Sequence, residues 1–310
     1  MGKTDLRALS RYSDSLSYAY LEHAVVEQEQ HSIAAFTPDG RITLPAANLS
    51  CLLLGPGTRI THAAIKVLAQ CGTLVAWTGY DGLQFYASGQ GKTRLSQGIE
   101  LQAKHWADPD LHLRVVRRMY QFRFSEPLSN QLTLQQIRGK EGVRVRDMYQ
   151  KLALRYGVVW RGRSYDPKSW QQADPVNKAL SAANSALYAV VSAGLHSLGY
   201  SLSLGFIHRG KQLSFVYDIA DLFKTKTSMP AAFEAAAQGE EKVESRARSI
   251  FRERACYERL QDQLVKAVAN LFSDSGPKPK GDNVDTSEPA QLWDPQSHQK
   301  GGVLHADDDS

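Results

Sequence analysis

Three short stretches carry side chains able to do metal chemistry on a phosphate. In LQQIRGKEGVRVRDMYQKLALRY, the stripe Leu134, Ile137, Val145, Met148, Leu152 and Tyr156 advances in steps of three and four, and Glu141 occupies one of its core-facing slots. A carboxylate taken out of water loses roughly several kcal/mol unless a cation or hydrogen-bond donors compensate. Two compensations suit the sequence: a structural ion pair with Arg138, three residues earlier on the same face, or a bound metal. Gly139 and Gly142 flank the glutamate where a better helix former would add about 1 kcal/mol each, so the helix is weakened where close approach is allowed. In GFIHRGKQLSFVYDIADLFK, His208 precedes an Arg-Gly turn, and Asp218 and Asp221 are three residues apart, on one face of a helix. Carboxylates so spaced, with no Lys or Arg between them, repel each other unless a proton or a cation lies between them.

Glu141 and His208, with Asp218 and Asp221, form a set rich in oxygen donors that suits Mg²⁺ or Mn²⁺, and the imidazole tilts the choice toward manganese. Such an ion neutralises charge building on a phosphate and lowers the pKa of an attacking hydroxyl. A purely structural histidine at the turn stays open at this point. Arg209, Lys211, Lys224, Arg246, Arg248 and Arg252 lie nearby in sequence, with Tyr165, Tyr188 and Tyr217. These types grip a nucleic-acid backbone by charge and stack on bases. Tyr188 also fits the apolar face of LSAANSALYAVV as a core residue.

These residues need elements to hold them. From Tyr18 to Ala87 short β-branched and aromatic segments (HAVVEQE, SIAAFTP, RITLP, GTLVAWTG, LQFYASG) alternate with turns at Pro38-Asp39-Gly40, Gly55-Pro56-Gly57 and Tyr80-Asp81-Gly82, and THAAIKVLAQ reads as a helix. A small β-domain over residues 1–91 is expected, followed by an all-α domain over 92–273 with breaks at Asp108-Pro109, Glu126-Pro127, Gly157 to Pro167 and Asp174-Pro175. Strands followed by helices make an α+β chain, and no internal repeat is present. The uncharged run Ala179 to Ile207 reads as a buried helix, no membrane span is expected, and MGKTDLRALSRYSDS lacks the apolar core of a secretory signal. Three isolated cysteines, Cys51, Cys71 and Cys256, fit buried thiols in a reducing cytoplasm.

Residues 274–310 are rich in Pro, Gly, Ser and Asp, so a disordered tail is expected, in which Leu292 and Trp293 form an apolar island suited to docking on a partner. The net charge of +5 hides an acidic tail and a basic body: residues 111–170 hold thirteen Lys and Arg against four Asp and Glu. Polyanion binding follows naturally, although a solvated helix face with surplus arginine accounts for the same numbers.

LLLGPGTRITHAAIKVLAQCGTLVAW, VRRMYQFRF, QQIRGKEGVRVRDMY, YGVVWRGRSYDP and GFIHRGKQLSFVYDIADLFK together resemble the CRISPR-associated integrases of type I-E systems, over roughly residues 16–272. The resemblance implies an N-terminal β-sandwich-like domain, a helical catalytic domain and a homodimer assembled through the β-domains. It implies a metal held by Glu141, His208 and Asp221, with Asp218 as the accompanying acid. Tyr165, Tyr188 and Tyr217 would line the approach to the site, and Arg59, Arg138, Lys211, Lys224, Arg248 and Arg252 would contact double-stranded DNA. The implied reaction joins the 3′ hydroxyl of a captured DNA fragment to a CRISPR repeat by transesterification, with nuclease activity on branched DNA beside it. The implied partner is a small ferredoxin-like Cas dimer bridging two homodimers. Two features depart from the family pattern: His23 stands where an aromatic wedge is expected, and the tail is longer and more acidic. A non-catalytic DNA-binding scaffold and a stand-alone repair nuclease are the competing readings.

Overall fold

The computed structural model describes residues 16–30, 32–79, 85–89, 96–163, 173–273, 291–292 and 299–300. The N-terminal part holds strands β1 (Leu16–Leu21), β2 (Val25–Glu29), β3 (Ser32–Thr37), β4 (Gly40–Leu44), β5 (Leu49–Leu54), β6 (Arg59–Ile60), β7 (Leu74–Thr78) and β8 (Phe85–Gly89), with helix α1 (His62–Gln70) between β6 and β7. They form two four-stranded sheets, ordered β1-β5-β7-β8 and β4-β3-β2-β6. The β3–β4 hairpin closes at Pro38-Asp39-Gly40, where Gly40 takes φ 131°, a conformation glycine adopts at little cost and one that strains residues with a Cβ. Thr61 caps α1 by accepting the Ala64 N–H.

Alternation along β5 and β7 decides where these sheets belong. Leu52, Leu54 and Val75 face a core shared with Val26, Ile33 and Ala35 of the other sheet and with Ala64, Val67 and Leu68 of α1. Cys51, Leu53, Leu74 and Ala76 point the other way, into the core of the helical part. The run LSCLLL is apolar on both sides because both of its faces are covered. Burial pushes the Cys51 thiol up to about 12. Of the three free cysteines only Cys51 is buried, and Cys256 is exposed, so the expectation of buried thiols holds for one of them.

The helical part comprises α2 (Gln97–Ala107), α3 (Pro109–Arg123), α4 (Leu134–Tyr156), α5 (Pro175–Ser197), α6 (Ser214–Ala220), α7 (Ser228–Ala237), α8 (Val243–Tyr257) and α9 (Leu260–Leu271). Local chemistry sets its boundaries. Asp108 and Asp174 cap α3 and α5, each followed by a proline at the first helical turn, and Thr133 with Gln136 forms a capping box on α4. Gly157 ends α4 at φ 65°. Helix α5, uncharged beyond Lys178, is buried along most of its length and packs against α6, α7, α8, α9 and strand β5. No helix among the described residues is long and apolar enough to cross a membrane. In the C-terminal segment Gln291–Leu292 pairs antiparallel with Gln299–Lys300. The expected domain boundary at residue 91, most of the expected disordered tail, Trp293 and Tyr165 lie outside the described residues.

Candidate metal and nucleic-acid site

The apolar stripe of α4 brings Glu141 to the inner side of the helix, where its side chain is 13% exposed. Its partner is not Arg138, which is exposed. Arg144, one turn further along, grips both carboxylate oxygens, Nε to Oε2 at 2.8 Å and Nη2 to Oε1 at 2.9 Å. Arg123, at the end of α3, adds Nη1 at 3.4 Å. The i,i+3 step to Arg144 is as local as the step from Arg138. Rotamer and packing chose between them.

Arg123 joins the two acidic halves of the site. Its side chain is 5% exposed, and its Nη2 lies 3.7 Å from Asp221 Oδ2. Nε and Nη2 nevertheless have no hydrogen-bond partner. Lys224, one turn beyond Asp221, reaches Oδ1 at 2.7 Å. Burial by itself would raise the Asp221 pKa, but Lys224 and then Arg123 override it and hold the carboxyl below its ordinary value. The same pairing raises the Lys224 ammonium above its ordinary value against the opposing effect of burial.

Asp218 and Asp221 do not share a cation. Asp218 is fully buried and turns back to the loop before α6, accepting the backbone N–H groups of Phe206 (2.6 Å), Ile207 (3.1 Å) and His208 (2.9 Å). It also bonds His208 Nδ1 at 2.7 Å. The expected repulsion is thus relieved by separate partners, because four donors on one side and two side-chain cations on the other compensate each acid by itself. The hydrogen bond to Asp218 is the main cause that raises the His208 pKa. With Nδ1 engaged, Nε2 is the nitrogen left for a cation, the arrangement by which a carboxylate fixes the tautomer of a ligand histidine.

Between these halves runs a line of aromatic contacts. Lys224 Nζ lies 5.1 Å above the Tyr188 ring, Tyr188 meets Tyr217 edge-on at 5.0 Å, and Tyr217 meets His208 edge-on at 6.0 Å. Glu141, Arg123, Asp221, Lys224, Tyr188, Tyr217, His208 and Asp218 therefore form one connected cluster. Among the described residues no three His, Cys, Asp or Glu side chains converge closely enough to hold an ion. The donor set fits a divalent cation in chemistry, since two carboxylates here already gather positive charge around an under-bonded guanidinium. Arg144 occupies both Glu141 oxygens, Lys224 occupies Asp221 Oδ1, and Arg123 lies between the two carboxylates.

The basic stretch is less of a single surface than its count suggests. Arg117 donates to the Leu132 carbonyl, Arg118 to the Leu271 carbonyl, and Arg163 to Asn177 and Ser181, so part of the surplus caps the interior. Lys211 and Arg59 are exposed. Arg248 and Arg252 line a different cleft, about 560 Å³, with Tyr20, His23 and Asp39, and Arg248 stacks over the Tyr20 ring at 4.4 Å. Arg123, Arg144 and Tyr149 were not singled out by spacing. Tyr149 stacks on Trp160 at 4.6 Å, and burial raises its pKa against the pull of Lys224. Only Arg144 had a local signal, its position three residues from Glu141.

A sequence profile described as CRISPR associated protein Cas1 matches residues 121–273, which contain the whole cluster. A Thermus thermophilus protein named CRISPR-associated endonuclease Cas1 2 is 50% identical over 307 residues, covering 98% of this chain and 94% of its own length. The chain belongs to the Cas1 family. A Clostridium protein named CRISPR-associated endonuclease Cas1 is 41% identical over 288 residues, 92% of this chain and 94% of its own. The crystal structure of a TtCas1–DNA complex superposes with a TM-score of 0.80 at 49% identity, covering 93% of this chain and all of that Cas1. Mixed strands followed by a mostly helical part are thus the family's architecture.

Proposed function

We propose that this Cas1 chain is a divalent-metal-dependent DNA endonuclease and integrase of CRISPR adaptation, in which Glu141, His208 and Asp221 hold Mg²⁺ or Mn²⁺. The observation that carries the reading is the connected cluster itself: two carboxylates drawn toward shared positive charge, and an imidazole aimed by a buried aspartate. The names of the relatives and the DNA in the TtCas1–DNA complex support it. When bound, the ion neutralises phosphate charge and activates the attacking hydroxyl. The chain's own residues do the rest. Asp218 holds the histidine in one tautomer, and Arg123 and Lys224 stand where negative charge accumulates on a phosphate. Tyr188 and Tyr217 offer ring edges and hydroxyls beside it.

In the joining reaction a 3′ hydroxyl oxygen attacks phosphorus, one P–O bond forms and one breaks, and the departing 3′ oxygen takes up the proton that the nucleophile gives to solvent. Little bond energy changes, so positioning and charge neutralisation carry the catalysis. We extend the reading to the type I-E subfamily, a cytoplasmic homodimer, and a small ferredoxin-like Cas dimer as partner, with Leu292 and Trp293 as its docking segment and Arg59, Arg138, Tyr165, Lys211, Arg248 and Arg252 as DNA contacts.

The test is integration of a fluorescent duplex with free 3′ hydroxyls into a supercoiled plasmid carrying the neighbouring repeat, with the partner protein and Mg²⁺ or Mn²⁺. Wild type should give covalent strand joining and His208→Ala about 100-fold less, the upper end of the scale for disturbing a ligand sphere. Tight DNA binding with no joining by either protein would favour a scaffold.

A further inference from the structure

The loop that carries His208 is held from outside as firmly as from inside. Gln102 of α2 is fully buried, yet none of its bonds is to another side chain. Its Oε1 accepts the Ser201 N–H at 2.8 Å, and its Nε2 donates to the carbonyls of Ser201 (3.1 Å) and Leu204 (2.9 Å). One turn on, Trp106 Nε1 donates to the Gly205 carbonyl at 3.1 Å, while its ring carries the Arg209 guanidinium at 4.8 Å. His112 of α3 sets one ring nitrogen against the Phe206 carbonyl at 3.0 Å. These contacts take four backbone carbonyls of the loop, those of Ser201, Leu204, Gly205 and Phe206. Asp218 takes the N–H groups from Phe206 to His208.

Two glycines show how close the fit is. A Cβ on Gly98 of α2 would strike the backbone of Leu198 and Gly199, and one on Gly205 would strike the His208 carbonyl. A buried amide committed wholly to a loop's backbone fixes that loop, because each of its bonds broken without replacement strands a buried polar group.

We propose that Gln102 and Trp106 are positioning residues for His208: α2 acts as a splint that sets the loop, and through it the imidazole, for cation binding. This rests on the reading of His208 as a cation ligand. Neither side chain touches the reacting atoms, so they act through the backbone of residues 201–209, as outer partners of a ligand do.

The experiment is Mn²⁺ binding to the full chain, measured by calorimetry or electron paramagnetic resonance, for wild type, Gln102→Leu, Trp106→Phe, His208→Ala and the double variant Gln102→Leu/His208→Ala. The downfield proton resonance of the hydrogen-bonded His208 Nδ1–H is recorded alongside. Gln102→Leu should weaken Mn²⁺ about tenfold and broaden or shift that resonance. Trp106→Phe keeps the ring under Arg209 and loses only the N–H donor, so it should do the same to a smaller degree, and it serves if the leucine variant fails to fold. The double variant should bind Mn²⁺ no more weakly than His208→Ala alone. An unchanged resonance with unchanged Mn²⁺ affinity in a folded variant would overturn the proposal, as would full additivity with His208→Ala. Equal Mn²⁺ affinity in wild type and His208→Ala would instead remove the ligand reading, while a perturbed resonance would still uphold the splint.

Discussion

The two halves of the cluster are built differently. His208 is held by a fully buried carboxylate that bonds three backbone N–H groups, and its loop is laced again from α2 and α3. Glu141 and Asp221 are held by the ends of long side chains, Arg144, Arg123 and Lys224. Backbone donors cannot move without moving the fold, whereas a lysine or arginine head swings away on several rotatable bonds. One half is therefore anchored to the backbone and the other to side-chain cations, which is the division the proposed metal site would use to admit an ion while keeping its imidazole in place.

Asp218→Ala breaks the backbone-anchored half and should have the largest effect on stability. Three backbone N–H groups lose their acceptor around a fully buried carboxylate and the half-exposed imidazole loses its anchor, at a cost of about 3 kcal/mol. Denaturant unfolding of the variant measures it, and a loss below about 1 kcal/mol would show that Asp218 is no anchor.

Arg144→Gln loosens the half held by side-chain cations. It frees Glu141 from a two-point ion pair that competes with a metal, so Mn²⁺ should bind about fivefold more tightly, on the order of 1 kcal/mol. Calorimetric titration reads this directly. Weaker binding would mean that the arginine orients Glu141 for the ion instead of holding it back.

The smallest effect lies in pH, and it distinguishes the halves by sign. The bond to Asp218 raises the folded His208 pKa, so the stability gained from that pair is complete below the ordinary histidine value and fades as pH climbs through the folded value. Asp221 is shifted down, so its contribution is present above the ordinary carboxylate value and is lost only as pH falls through the lowered one. Metal binding needs the neutral imidazole and should strengthen with rising pH, opposite to the stability of the His208–Asp218 pair. Mn²⁺ titrations and thermal melts between pH 5 and pH 9, about two units either side of neutrality, should show these crossing trends; parallel trends would remove His208 from the ligand set.

Much of this was legible in the chain because it is local. Helix starts at Asp108-Pro109 and Asp174-Pro175, the stop at Gly157, and the hairpin at Gly40 follow from capping and from φ preferences within a few residues. The inward slot of Glu141 follows from helical period, and the placing of His208, Asp218 and Asp221 near one another follows from a short segment. Tertiary structure alone decided the partners. Arg123 reaches Glu141 across 18 residues, and Gln102 reaches Leu204 across 102. It also turned Asp218 and Asp221 apart and made one face of β5 and β7 part of the helical core. The physical reason is range: periodicity and capping act over one or two turns, while the pairing of a buried charge is settled by whichever donor packing brings within about 3 Å.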